Sequence, residues 1–161
     1  MGTREISSID WRSSLCAGLI YTLGVFLFAF AVGTIRVTLI APRLGALWAV
    51  IIEAPIVLAV SWQVSRWCTR RFNVSRDARA RMLMGAAAFS VLMLLEIGFS
   101  VLIFGETVNQ YVRKFTSAPG FVGLSIQCCF AMFPWVQSRV RSKVSQSTTH
   151  KAHLKPRDAR R

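Results

Sequence analysis

LGALWAVIIEAPIVLAVSWQVS, residues 44–65, and MLMGAAAFSVLMLLEIGFSVLIF, residues 82–104, are the stretches from which the fold is read. Both reach the length of about 20 apolar residues that an α-helix needs to cross a bilayer. Each carries one ionisable side chain, Glu53 in the first and Glu96 in the second. A carboxyl group at that depth is costly, so such groups face a bundle interior and mark functional positions.

Two further runs flank this pair. Residues 15–35 contain no charge, and residues 118–136, the shortest run, carry Gln127 and Pro134. The expected fold class is therefore all-α, an integral membrane four-helix bundle of two antiparallel hairpins. Its spans are 15–35, 44–65, 82–104 and 118–136. Residues 1–14 form a cytoplasmic N-terminus, and 137–161 a basic cytoplasmic tail expected to be disordered and drawn to anionic headgroups. Proline disfavours helical geometry in the residue before it, so the first helix is expected to end near Ala41, with Pro42 in the first turn of the next. Ser75 or Asn73 is the expected cap of the third helix. Val108, Tyr111, Val112 and Phe115 recur at helical spacing in the third loop, which predicts a short helix lying on the outer surface.

Charge gives orientation. A net +13 on a soluble chain points to nucleic acid, but here the basic residues flank the apolar runs and follow topology instead. Placing both termini and the 66–81 segment inside puts 16 Lys and Arg inside and 4 outside. Trp11, Trp62, Trp67 and Trp135 then fall near the cytoplasmic boundary and Trp48 near the outer one, as an aromatic belt does. The expected location is a bacterial inner membrane, multi-pass, with both ends cytoplasmic. The expected partners are the bilayer, anionic lipids at the basic loop and tail, and a second copy or another membrane protein, with no nucleic acid. A cleaved leader is the rival reading of the first run, because Ala29-Phe30-Ala31 resembles a small-x-small cleavage site. The apolar run continues to Ile35, and Glu5 and Asp10 dilute the basic start, which favours a retained span.

Catalytic and metal signatures are missing. Cys16, Cys68, Cys128 and Cys129 lack ligand spacing, and the histidines, His150 and His153, lie in the tail. No Gly-x-Ser-x-Gly or phosphate loop occurs. We expect no enzyme, no cofactor and no metal.

Depth groups the polar residues. Glu53, Glu96 and Gln127 lie nine, eight and about nine residues from the outer ends of their spans, about 12–14 Å deep by the helical rise. Gly45, Ala49 and Glu53 share a stripe that lets another helix approach. Ser100, on the stripe of Glu96, is its expected hydrogen-bond partner. Pro55 withdraws a donor from the carbonyl of Ile51, the way interrupted transporter helices build ion sites. Arg36 is a fourth candidate for the cluster. With a hairpin tip at Ala41 it sits about 10 Å from the level of Glu53, so it is expected to snorkel outward.

The leading expectation is a non-enzymatic membrane component whose Glu53, Glu96 and Gln127 join helices through hydrogen bonds. The alternatives are a small proton- or cation-coupled transporter or channel using Glu53 and Glu96, and an assembly or stability factor for another membrane complex.

The segments from Gly33 to Val37 and from Ala41 to Gly45, then Glu53-Ala54-Pro55, Leu94-Leu95-Glu96, Tyr111, Pro119 and Pro134, resemble a family of small uncharacterised bacterial inner-membrane proteins. The likeness covers about residues 12–138. It implies four spans and a bacterial cytoplasmic membrane, and it brings no activity. The chain departs from it at Gln110, where the family pattern favours an acidic residue.

Overall fold

A computed structural model describes residues 11–103 and 105–153, with side chains as far as residue 140. All regular elements among them are helical: α1 Trp11–Ile35, a π-helical turn Arg36–Ile40, α2 Ala41–Leu44, α3 Ala46–Arg71, α4 Ala78–Leu102, α5 Val108–Lys114 and α6 Ala118–His153. Four helical stretches are long and apolar enough to cross a membrane: Trp11–Leu44, Ala46–Arg71, Ala78–Leu102 and Ala118–Val140.

The first helix does not end at Ala41. Its path continues through the π turn and α2 to Leu44, and the chain reverses at Gly45, whose φ of 83° is left-handed and suits glycine. The π turn absorbs Pro42: the wider winding bonds the Ala41 N–H to the Arg36 carbonyl, and the proline enters the next turn where it needs no donor. Pro55 likewise leaves α3 unbroken. At the other end of α3, Asn73 turns the chain with φ 48°, and Asp77 rather than Ser75 or Asn73 is the N-cap of α4. The Ser75 hydroxyl instead accepts from the Asp77 N–H at 3.2 Å.

α6 also departs from expectation. It runs beyond Val136 as helix to His153, where we expected an unstructured tail from residue 137. Gln137 is buried, donates to the Trp62 carbonyl at 2.9 Å and accepts from the Ser65 hydroxyl at 3.4 Å. Residue 137 thus belongs to the bundle. No Gly or Pro interrupts 137–153, and extending an existing helix is far cheaper than starting one. The expected disorder of 154–161 and the first ten residues of the N-terminal segment lie outside the described residues.

The four long helices form a ring in the order α1, α3, α6, α4. Each hairpin supplies two neighbours, α1 with α3 and α4 with α6. α1 and α4 run parallel, pairing Thr22 with Ala88 and Phe26 with Phe99. α3 and α6 do the same, through Trp62 with Phe133 and Ser65 with Gln137. Consecutive α3 and α4 therefore occupy opposite corners, and residues 72–77 cross beneath the bundle. Val74 plugs that end, and Arg81 folds back to donate to the carbonyls of Ser75 and Val74 at 3.0 and 3.2 Å.

The tight core lies at this end. Ala17, Tyr21, Cys68, Ala80, Met84 and Ala88 are buried together, and the backbones come close where side chains are smallest. A Cβ on Gly85 would lie 2.1 Å from the Ala131 carbonyl oxygen, and one on Gly18 2.8 Å from that of Met84. Tyr21 bridges the other diagonal, stacking on Phe130 with ring centroids 4.2 Å apart and donating to its carbonyl at 3.0 Å. Toward the α5 end the bundle opens.

Candidate functional site

The opening is a cavity of about 930 Å³ between the four long helices, closed at one end by the core and reaching α5 at the other. Its walls are largely apolar, with Val25, Phe26, Phe30, Leu92, Phe99 and Phe130 among them. All four candidate residues from the sequence, Glu53, Glu96, Gln127 and Arg36, line it.

Arg36 pairs with Glu53, its Nε 2.6 Å from Oε2, and the Glu53 side chain is 13% exposed. The outward course expected for Arg36 is thus corrected, and the reason is the position of the turn. With the tip at Gly45, Arg36 lies nine residues before it and Glu53 eight after, so antiparallel packing brings them level. Gly33, one turn before Arg36, lies beside this pair: a Cβ there would meet Glu53 Oε1 at 3.8 Å, an ordinary van der Waals distance.

Glu96 and Gln127 do meet. Gln127 donates through Nε2 to Glu96 Oε1 at 2.6 Å, and Tyr111 donates its hydroxyl to Oε2 at 2.8 Å. The half-buried carboxyl is therefore held by two neutral donors from α6 and α5. Ser100, its expected partner, donates to Glu106 instead. Glu106 also receives Lys114 Nζ at 2.5 Å, and these two hydrogen bonds hold its carboxyl below the usual range.

Tyr111 reaches the site because α5 is firmly started. The Thr107 hydroxyl accepts from the Gln110 N–H at 3.3 Å, and Gln110 Oε1 accepts from the Thr107 N–H at 2.8 Å, a reciprocal capping box. Burial, then the negative Glu96, raises the Tyr111 hydroxyl well above the usual phenol range, so it stays a donor. Of the expected apolar face of this helix, Tyr111 turns inward, while Val108 and Val112 are exposed.

Sequence reasoning missed Tyr111, Glu106, Lys114 and Ser61 as parts of the site. Thr107 and Gln110, spaced as a capping box, were the signal that α5 has a defined start. Ser61 carried no such signal. It is wholly buried at the base of the cavity, and its hydroxyl has no hydrogen-bond partner. Gln127 Oε1 is likewise buried without one.

Among the described residues no three His, Cys, Asp or Glu gather as a metal set, and the four cysteines are free thiols. Comparisons with protein-family models, with curated proteins and with solved structures found no match.

Proposed function

We propose that this chain is a non-enzymatic four-span protein of a bacterial inner membrane, with both termini cytoplasmic, that binds a small molecule in the cavity beneath α5. The membrane reading is supported by an inverted distribution of side chains. Leu27, Leu94 and Phe121 are 67%, 69% and 65% exposed, while Thr22, Ser61 and Ser65 are fully buried. Water disfavours that arrangement and lipid accepts it. The 16-to-4 bias of Lys and Arg supports the orientation, which places the cavity in the outer half.

The observation that carries the binding reading is that two carboxyl groups from different helices line one cavity rather than a closed helix seam. Its volume is in the range of ligand sites, and a few polar groups converge within apolar walls, as they do in such sites.

Gly123 offers a test, because it lines the cavity and a Cβ there meets nothing within 4 Å. Cys16, Cys128 and Cys129 are first replaced by alanine, and Cys68 stays buried in the core. In that background Gly123→Cys should react with a membrane-impermeant thiol reagent added outside intact cells. Leu94→Cys, on the apolar exterior, should not. An unreactive Gly123→Cys would mean a dry seam and sink the reading.

Ion- or proton-coupled transport is the second reading, favoured by Glu96 having only neutral partners. Proton flux into proteoliposomes should then fall in Glu96→Gln and Glu53→Gln. Identical flux in all three proteins removes it.

A further inference from the structure

We infer that the cavity takes an organic cation with an apolar body, seated by its positive charge on Glu96; this rests on the binding reading above and names the ligand class. The charges lead there. Arg36 is committed to Glu53 and Lys114 to Glu106, whereas Tyr111 and Gln127 bring Glu96 hydrogen bonds but no charge. Among the described residues Glu96 has no cationic partner. In surroundings of low dielectric constant an ionised carboxyl held only by neutral donors attracts a cation strongly, and a cation bound beside it in turn favours the ionised form.

The walls fit the rest of such a molecule. Phe99 packs against Phe26 and Phe30 with ring centroids 5.3 and 5.5 Å away, and all three line the cavity. Aromatic faces attract positive charge, and apolar walls bury a hydrocarbon body. Phe99 lies three residues after Glu96, on the same side of α4, so ring and carboxyl are neighbours. Buried polar groups are normally hydrogen-bonded, and two uncharged ones in the cavity wall, the Ser61 hydroxyl and Gln127 Oε1, are not.

Other ligand classes fit less well. A phosphate or carboxylate needs a free cation, and both cations of the cavity are paired. A metal ion needs several hard or soft ligands together, and no such set occurs among the described residues.

Tetraphenylphosphonium and tetraphenylborate, alike in shape and opposite in charge, make the test. The full chain carrying Gly123→Cys in the same alanine background is placed in lipid nanodiscs, and the rate of labelling by the water-soluble thiol reagent is followed by mass. Tetraphenylphosphonium should slow labelling, and tetraphenylborate should not. Adding Glu96→Gln should raise the phosphonium concentration for half-protection by about tenfold or more, as loss of a charge-assisted contact does. Glu96→Asp, which keeps the charge, should retain protection and show that the position tolerates substitution. Labelling without protection would overturn the cation proposal and leave the cavity reading standing. An absence of labelling would overturn both. Equal protection by the borate, or by the phosphonium in Glu96→Gln, would remove Glu96 as the seat.

Discussion

Gly85 and Gly98 lie on the same helix, and a methyl group has opposite consequences at the two positions. A Cβ at Gly85 would meet the Ala131 carbonyl oxygen at 2.1 Å, a backbone atom that cannot swing aside. Gly85→Ala should therefore lower stability by about 1–3 kcal/mol, the usual cost of overpacking. Gly98 has nothing within 4 Å of its Cβ position. Gly98→Ala should be neutral or stabilising by up to about 1 kcal/mol, since alanine is the better helix former. Thermal unfolding of both variants in detergent checks the pair, and equal shifts would refute the close-contact argument. The sequence shows small residues at Gly85-Ala86-Ala87-Ala88 but not which of them touches a partner helix. That depends on rotation about the α4 axis, which neighbouring helices decide. The same limit hid the partners of Ser100, whose spacing from Glu96 is right for a helical stripe but whose hydroxyl meets Glu106.

At the scale of elements, α5 links chemistry to fold. Tyr111 fastens it to Glu96, and Glu106 fastens its C-terminal turn through Lys114. The folded-state value of Glu106 is depressed by hydrogen bonds from Lys114 and Ser100. Its stabilisation is therefore full above the ordinary glutamate value of about 4.3, and is lost as pH falls through the depressed value. Amide exchange in α5, taken relative to the intrinsic rate at each pH, should stay slow near neutral pH and quicken in acid. Glu106→Gln should quicken it throughout and abolish the acid step belonging to that carboxyl. Tyr111→Phe should loosen the same segment by about 1–3 kcal/mol while leaving that step in place. Periodicity in the sequence disclosed this helix, because apolar residues at helical spacing are a local signal. Its inward contact was not legible, since a Tyr on an amphipathic face reads alike whether it meets lipid, water or a carboxyl.

For the whole molecule, the proposed topology makes a direct prediction. A reporter fused after Arg161 should be active only in its cytoplasmic form, and activity of an externally folding reporter would invert the bundle. Inversion would place the cavity on the inner side and reverse the side from which Gly123→Cys is labelled. The sequence by itself determined that four long apolar helices form, because run length and the absence of charge are local properties that no tertiary contact alters. It also singled out Glu53, Glu96 and Gln127, since a polar group in an apolar run is conspicuous wherever it points. Only the tertiary structure decided what they do together. The hairpin closes at Gly45 rather than Ala41, because a π turn carries the helix past Pro42, and those extra residues bring Arg36 level with Glu53. The ring order, with α3 and α4 at opposite corners, separates the helices toward α5 and leaves a cavity where the sequence suggested a seam. Both outcomes depend on where backbones meet, and that is fixed by close packing between residues distant in the chain.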